Sequence, residues 1–491
     1  MKGLTRNKPK ALVPVHNLPI LFHLFRKYPD KRFVIIADYK KEALRAYLEA
    51  FAEAAYLVVD ADGTGTCAGI AKAAALLPRE EPVMLIWSDL ILPESFCLPE
   101  EYEAGRRPDK NYVGIARDFS CRWSYEGGAF AEKRSAEHGV AGLFLFADNT
   151  QLLHVPKDGE FLRWAHTQRF EFQTIGLSGT KEFGIYEDYI KQQPEKCRPF
   201  NKIIRDGGVL TKEPVDRQGE RLAQDESAWY RKALEKKVCA LPEIYAFHPL
   251  KMEYIKGGSI MERKFDADAQ KRILRRLVVS LQKMHQSETV FADAFSLKEA
   301  YFYKTLARLS KIWGLAPYAQ EPEITVNGKV CRNVFFHKQE LEKQLDGMMT
   351  DCKNFCLIHG DCTFSNLLLR EHEEPVFIDP RGYFGHTKLY GDARYDWAKL
   401  YYSIVGNYDR LNAGDFQLSI DTDRPSVSLT IGSNGWEGME ETFFLLTGTD
   451  PRQMKLLHAV IWLSYTTYAW QDYDKLCGAF YRGLYELEDV L

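Results

Sequence analysis

Towards its C-terminal end the chain reads His359-Gly-Asp-Cys-Thr-Phe-Ser-Asn366, and soon afterwards Val376-Phe-Ile-Asp-Pro-Arg-Gly382. Apolar residues lie directly before and after the first segment, at Phe355-Cys-Leu-Ile358 and Leu367-Leu-Leu369. This pattern is typical of a polar loop held between buried segments. The second segment places a carboxylate, Asp379, at the end of another apolar run.

Three polar side chains of these segments suit the transfer of a phosphoryl group. This reaction needs a carboxylate at the attacking hydroxyl and metal ions that neutralise the phosphates. We expect Asp361 to orient or deprotonate the hydroxyl. Asn366 and Asp379 supply oxygen ligands of the kind that magnesium prefers. The two segments therefore predict magnesium-dependent phosphoryl transfer with Asp361 as the catalytic residue.

These segments, together with other elements that follow the family's order along the chain, resemble the aminoglycoside phosphotransferase and choline kinase superfamily. The resemblance covers most of residues 200–410 and implies an α+β, protein-kinase-like fold that uses ATP and Mg²⁺. It implies a lysine on a strand that contacts the nucleotide phosphates, a glutamate that pairs with it, and a hinge that holds adenine. The residues at these positions are Lys212, Glu226, Glu253, Tyr254 and Ile255. It also implies that Asp396 braces the catalytic loop.

Two alternative explanations of these residues, a zinc site and a chance match, do not fit the sequence. Cys352, Cys356, His359 and Cys362 lie close together, but their spacing is not Cys-x-x-Cys and no second ligand pair follows at zinc-site distance. A buried histidine is more often a packed residue than a ligand, and we expect His359 to orient the loop. Chance does not readily produce the lysine, the glutamate, the hinge and both loop segments in this order.

Bulk properties limit the remaining possibilities. The chain has 491 residues, of which 45% are hydrophobic and 27% charged, as in soluble proteins of two or three domains. A formal charge of -3 predicts no nucleic-acid partner. There is no long apolar run and no signal-peptide pattern, and the ten cysteines are scattered, so we expect no membrane span and a cytoplasmic location.

The first part of the chain has a different pattern. Apolar runs typical of buried strands occur at Phe33–Ala37, Tyr56–Asp60 and Val83–Trp87. Helical patterns separate them, at Lys40–Ala54 and Thr66–Leu77. Strands that alternate with helices predict an α/β domain with a mostly parallel sheet.

A polar segment with two prolines, Gln192–Pro199, predicts the boundary between two domains, residues 1–197 and 198–491. Beyond it, Lys202–Lys212 reads as a hairpin and Glu220–Lys236 as a helix. Alternating apolar residues predict a further hairpin at Phe416–Gly432.

The segment Lys8-Pro-Lys-Ala-Leu-Val-Pro-Val-His-Asn-Leu-Pro-Ile20 resembles the nucleotidyltransferases that activate sugars and choline phosphate. The resemblance implies a Rossmann-like domain that binds CTP or another NTP, with Lys10 at the phosphates and Asp89 and Asp188 at a metal ion. The family's first strand and GxGxR-type loop do not precede this segment. Since that loop cradles the triphosphate, we expect the fold with reduced or absent nucleotidyltransferase activity.

A kinase joined to a nucleotidyltransferase predicts two consecutive steps. The first would phosphorylate a small alcohol, and the second would couple the product to a nucleotide, as in the supply of capsule or other cell-surface polysaccharides. Choline, ethanolamine, polyols and sugars are all candidates. A non-catalytic nucleotide-binding scaffold and an antibiotic-modifying aminoglycoside kinase stay open as alternatives.

An aromatic segment near the C-terminus bears on the choice of alcohol. It contains Trp462, Tyr465, Tyr468, Trp470 and Tyr473. Aromatic faces attract quaternary ammonium groups, which would suit choline. The alternative is that most of these rings belong to the core.

Overall fold

The computed structural model describes residues 3–103, 108–183 and 201–491. The chain divides into two compact units. Unit 1 comprises Met1–Pro194 and Gln471–Tyr473, and unit 2 comprises Glu195–Trp470 and Asp474–Leu491. The domain limits predicted from the sequence, 1–197 and 198–491, stay a prediction.

Unit 1 combines short strands and helices. Its strands are β1 (Pro14–Val15), β2 (Leu18–Pro19), β3 (Arg32–Ala37), β4 (Ala55–Asp60), β5 (Val83–Ile86), β6 (Leu90–Ile91), β7 (Asn111–Ala116), β8 (Ser124–Glu126), β9 (Ala129–Ala131), β10 (Val140–Phe146), β11 (Phe172–Leu177) and β12 (Lys181–Glu182). Its helices are α1 (Ile20–Lys27), α2 (Lys41–Phe51), α3 (Ile70–Ala74), α4 (Glu100–Glu103) and α5 (Phe161–Gln168).

The main sheet of unit 1 has the strand order β11-β7-β10-β5. β7 and β11 are parallel, whereas β10 is antiparallel to both of its neighbours. The expectation of a mostly parallel sheet is therefore wrong for these strands, although β3 and β4 do pair in parallel. The hairpin of β8 and β9, not a crossover helix, connects β7 to β10, and antiparallel pairs do not need such a helix.

The helix predicted at Thr66–Leu77 is shorter in the structure. Helix α3 covers only Ile70–Ala74, because Gly69 has φ +81° at its N-cap position. This left-handed conformation suits glycine, and a Cβ at Gly69 would lie 2.7 Å from Cγ2 of Ile36. The packing of α3 against β3, which sequence periodicity does not reveal, sets the start of the helix.

Unit 2 begins with strands and continues mainly as helices. Its strands are β13 (Asn201–Asp206), β14 (Val209–Pro214), β15 (Ile244–Phe247), β16 (Leu250–Glu253), β17 (Thr289–Phe291), β18 (Glu323–Val326), β19 (Lys329–Arg332), β20 (Asn354–Leu357), β21 (Leu367–Leu369), β22 (Pro375–Phe377), β23 (Tyr383–Phe384), β24 (Thr387–Lys388), β25 (Tyr390–Gly391), β26 (Phe416–Ile420) and β27 (Ser426–Ile431). Its helices are α6 (Arg217–Glu235), α7 (Ala267–Ser287), α8 (Ala294–Lys298), α9 (Lys304–Ile312), α10 (Lys338–Met349), α11 (Ala393–Ile404), α12 (Tyr408–Asn412), α13 (Glu440–Thr447), α14 (Pro451–Tyr465) and α15 (Tyr473–Leu487).

The two predicted hairpins of unit 2 are confirmed. β13 and β14 pair around a turn in which Gly207 and Gly208 both have positive φ. They continue into an antiparallel sheet of order β13-β14-β16-β15. β26 and β27 form the second hairpin, and β27 also pairs in parallel with β18.

The helix predicted at Glu220–Lys236 begins three residues earlier than expected. The side chain of Asp216 accepts a hydrogen bond of 2.7 Å from the Gly219 amide and so caps α6 at its N-terminus.

Among residues 3–103, 108–183 and 201–491, no helix combines the length and apolar character that a membrane crossing requires.

Candidate active site

The loop of the HGDxxxxN segment follows β20 and is held from several sides. The His359 side chain is buried, and its Nε2 donates to the carbonyl of Ile378 at 2.9 Å. Its Nδ1 accepts from the Asp361 amide at 3.3 Å, which requires a neutral ring. Burial lowers the pKa of His359, in agreement with this tautomer. The histidine therefore orients the loop, as predicted.

Asp396 on α11 fixes the backbone of this loop. Its carboxylate accepts hydrogen bonds from the amides of His359 at 2.9 Å and Gly360 at 2.7 Å, and from Nε2 of His285 at 2.9 Å. Burial alone would raise the pKa of Asp396, but the hydrogen bond and charge of His285 outweigh it and lower the pKa. A fully buried carboxylate thus stays ionised and holds two consecutive amides.

Asp361 and Asn366 are brought together at the mouth of the loop. Nδ2 of Asn366 donates to the backbone oxygen of Asp361 at 2.9 Å and to its Oδ2 at 3.0 Å. The other carboxylate oxygen forms an ion pair with Lys399 of α11, with Nζ 3.0 Å from Oδ1. These contacts hold the Asp361 side chain in a defined orientation while about a fifth of its surface (22%) stays exposed.

Lys212, Glu226 and Asp379 meet although they lie on β14, α6 and the segment after β22. Nζ of Lys212 is 2.7 Å from Oε1 of Glu226 and also contacts Oδ1 of Asp379. Burial works to lower the pKa of Lys212, but the charges of Asp379 and Glu226 outweigh it and raise the pKa above its ordinary value. The lysine is a fixed cation.

The backbone of Asp379 has a φ of +58°, in the left-handed region. Residues other than glycine rarely adopt this conformation, and such strain is concentrated at functional sites. It aims the carboxylate at Lys212 directly after the apolar strand β22, where the sequence placed a magnesium ligand.

The hinge segment follows β16. The amide of Tyr254 donates to the carbonyl of Gly208 at 2.8 Å, and the Glu253 carboxylate pairs with Arg370. Within the described residues, the amide of the buried Ile255 has no hydrogen-bond partner. A cleft of about 790 Å³ opens here, lined by hinge residues and by the segment 370–374. A free backbone amide beside a cleft suits the edge of an adenine ring.

The residues predicted to hold magnesium supply a small donor set. Nδ2 of Asn366 is used by Asp361, so its amide oxygen is the atom that remains for a cation. Mg²⁺ commonly takes one or two protein oxygens together with substrate phosphates, which Asn366 and Asp379 fit. In the described part of the chain, no group of three or more His, Cys, Asp or Glu side chains could hold a metal ion by itself.

In unit 1, the structure brings together two of the predicted site residues. Nζ of Lys10, just before β1, lies 2.7 Å from Oδ2 of Asp89, which precedes β6. The third, Asp188, lies outside the described residues.

The aromatic segment near the C-terminus of unit 2 belongs largely to the core. Trp462 is fully buried, and its indole nitrogen donates to Nε2 of His458 at 2.9 Å. Tyr402 packs edge-on against Trp462, with 4.6 Å between the ring centroids. Tyr465 is buried, and its hydroxyl donates to Asn412. Tyr468 is the exposed member, with 44% of its surface accessible. The core interpretation therefore holds for Trp462 and Tyr465.

Sequence reasoning missed a group of residues beside Asp361. They are Lys304, Arg308, Arg381, Tyr395 and Lys399. Arg381 and Lys399 lie in the segments that carry Asp379 and Asp396, and this closeness in the sequence could have indicated that they belong to the site. Lys304 and Arg308 occupy positions i and i+4 of α9, a spacing that is common on solvated helix faces.

Comparison with known families agrees with the geometry of unit 2. Residues 209–427 match the model of the phosphotransferase enzyme family. The chain is a phosphotransferase. The match spans β14 to β27 and so includes Lys212, Asp361, Asn366 and Asp379. None of the curated proteins compared with the phosphotransferase matches it.

Solved structures also resemble the phosphotransferase, at low identity. The choline kinase LicA from Streptococcus pneumoniae is 13% identical, with 60% of this chain and 92% of that chain covered and a TM-score of 0.38. A glucosamine kinase is 13% identical, with 58% and 74% covered and a TM-score of 0.37. HddC from Yersinia pseudotuberculosis is 15% identical, with 39% and 91% covered and a TM-score of 0.32. Similarity at this level does not identify the substrate of this chain.

Proposed function

We propose that unit 2 transfers the γ-phosphoryl group of ATP to a hydroxyl group of a small alcohol. The acceptor oxygen forms a bond to the γ-phosphorus, the bond from that phosphorus to the β–γ bridging oxygen breaks, and ADP leaves. The proton of the hydroxyl passes to the carboxylate of Asp361. Choline-like alcohols, polyols and sugars are the acceptor classes to be distinguished.

The remaining side chains of the site have supporting roles. Lys212, oriented by Glu226, binds the nucleotide phosphates as a fixed cation. Ile255 offers its free amide to adenine. Asn366 and Asp379 would hold Mg²⁺, which when bound neutralises charge on the phosphates. Asp396 keeps the loop rigid, so that Asp361 meets the hydroxyl without reorganisation.

One observation carries this proposal. The five side chains of the predicted site come from four parts of unit 2, namely β14, α6, the loop after β20 and the segment after β22. Ion pairs and hydrogen bonds hold them in two groups, Lys212 with Glu226 and Asp379, and Asn366 with Asp361. A non-catalytic nucleotide-binding scaffold would not require Asp361 to be held by Asn366 on one side and by Lys399 on the other.

The test is ATP-dependent ADP release by the purified full chain with a panel of alcohols. Asp361→Asn should lower kcat by roughly 100- to 10,000-fold, the usual contribution of a general base. Asp351→Asn is the matched control, since Asp351 is exposed and lies outside the site. If no alcohol stimulates ADP release while ATP still binds, the scaffold alternative is favoured.

For unit 1 we propose a nucleotidyltransferase-like domain that couples the phosphorylated product to CTP or another NTP. The proximity of Lys10 and Asp89 supports this, because a cation and a carboxylate at one point suit a triphosphate and its metal ion. The product would be an activated building block for capsule or other cell-surface polysaccharides.

This second proposal has its own experiment. The full chain is incubated with each NTP and the phosphorylated alcohol, and pyrophosphate release is measured for the wild type and for Lys10→Met. Release that depends on Lys10 supports the coupled reaction. Its absence with every NTP leaves unit 1 without this activity and does not affect the kinase proposal.

A further inference from the structure

A group of four cations lies beside Asp361, and it is called the cationic cluster here: Lys304 and Arg308 of α9, Arg381 after β22, and Lys399 of α11. Three of them surround one ring. Nη1 of Arg381 donates to the hydroxyl of Tyr395 at 3.0 Å, Nζ of Lys304 lies 5.7 Å from the Tyr395 ring centroid, and Nζ of Lys399 lies 5.9 Å from it.

Among the described residues, a single carboxylate forms an ion pair with the cationic cluster. Lys399 pairs with Asp361 at 3.0 Å. Among residues 3–103, 108–183 and 201–491, no carboxylate forms an ion pair with Lys304, Arg308 or Arg381. Arg308 instead donates to the backbone and hydroxyl oxygens of Ser464. Charges that are partly shielded from water are usually paired, so three half-buried cations without an ion pair at one place suit an anionic ligand.

The effect of this excess charge is visible in neighbouring groups. Burial lowers the pKa of Lys304 to about 8, and the charges of Arg381, Arg308 and Lys399 add to that effect. Burial alone would raise the pKa of Tyr395, but Lys304, Arg381 and Lys399 lower it to about 7. An ionised Tyr395 would serve as an internal anion where no external one is bound.

A ligand can reach these charges. Lys304, Arg308 and Arg381 are each only half-buried. The cluster also lies on the Lys399 side of Asp361, whereas the nucleotide phosphates have their own cation in Lys212. This arrangement does not suit a cationic acceptor such as choline or an aminoglycoside, which the four positive charges would repel.

We propose that the acceptor alcohol carries an anionic group, a phosphate or a carboxylate, which Lys304, Arg308 and Arg381 bind while Asp361 meets the hydroxyl. This inference rests on the proposed kinase function, since it names the acceptor of that same site. Arginine and lysine are the residues with which proteins bind such groups.

The test compares acceptors of different charge in the ADP-release assay. Glycerol and ribitol are the neutral acceptors, choline and ethanolamine the cations, and glycerol 3-phosphate and glycerate the anions. We expect the highest kcat/KM with an anion, and the better of the two anions distinguishes phosphate from carboxylate. Inorganic phosphate should inhibit competitively against that acceptor.

A pair of variants on one helix gives the second readout. Lys304→Met should raise the KM for the anionic acceptor by roughly 10- to 100-fold, the effect of losing a hydrogen bond to a charged group. Lys311→Met is the matched control, because Lys311 is an exposed lysine of the same helix and should leave the KM unchanged.

Three results would overturn the inference, and they are distinguishable from one another. Turnover confined to neutral or cationic alcohols would refute the anionic acceptor and leave the kinase proposal intact, as would an effect of Lys304→Met on the KM for ATP alone. Silence of the wild type with every alcohol would refute the kinase proposal, and the inference with it.

Discussion

Replacing Asp396 by asparagine tests whether the loop is held as described. The carboxylate accepts three hydrogen bonds, of which Oδ1 takes the one from Gly360 and Oδ2 takes those from His359 and His285. Asparagine keeps one accepting oxygen, and its amide group would face an N–H that can only donate. A buried donor left without a partner costs about 1–3 kcal/mol, and the remaining bonds lose their charge assistance.

The expected loss in the free energy of unfolding is therefore about 2–4 kcal/mol. Urea denaturation followed by tryptophan fluorescence is a suitable assay, because the indole of Trp229 donates to the carbonyl of Ile358 next to the loop, at 2.7 Å. Asp423→Asn makes the same chemical change at an exposed position and should stay within about 0.5 kcal/mol of the wild type. An Asp396→Asn midpoint equal to that of this control would refute the role of Asp396.

Three further predictions concern pH and backbone geometry. Hydrogen bonds, first of all from Tyr390, lower the pKa of Glu288 to about 2, so the stabilising effect of Glu288 is complete above pH 4.5 and is lost as the pH falls towards 2. In acid denaturation, the difference in stability between the wild type and Glu288→Gln should therefore shrink over that range. A constant difference would contradict this. Gly360 has φ +80°, and a Cβ there would lie 2.8 Å from the Cβ of Arg381. The Gly360→Ala variant should therefore lose about 1–3 kcal/mol of the free energy of unfolding and have a lower kcat. An unchanged melting temperature would contradict this prediction. If Lys304 binds an anionic acceptor, the kcat/KM of the wild type for that acceptor should fall as the pH rises through about 8. The Lys304→Arg variant should keep a high kcat/KM above that pH. Identical pH profiles of the wild type and the variant would contradict the binding role of Lys304.

The parts of the site that lie close together in the sequence could be predicted from it. The spacing of Asp361 and Asn366 fits a single loop, and the structure joins these two side chains by a hydrogen bond. The pairing of Lys212 with Glu226 was expected from the resemblance to a kinase family, and the ion pair is present. The hairpin at Phe416–Gly432 followed from its alternating pattern.

Long-range packing accounts for what could not be predicted. Lys304 and Lys399 look like ordinary helix-surface cations in the sequence, and only the approach of α9 to α11 around Tyr395 gathers them. The pairing of β27 with β18 joins segments about a hundred residues apart, and no local pattern encodes it. The antiparallel orientation of β10 likewise depends on the route of the chain through the hairpin of β8 and β9.

Phosphorus NMR of a reaction with ATP and the best acceptor of the panel follows the transferred phosphoryl group itself. We expect the signal of the γ-phosphorus to be replaced by that of a phosphate ester on the acceptor, at a rate that Asp361→Asn reduces by roughly 100-fold or more. Conversion to inorganic phosphate alone, or an ester formed equally fast by Asp361→Asn, would contradict it.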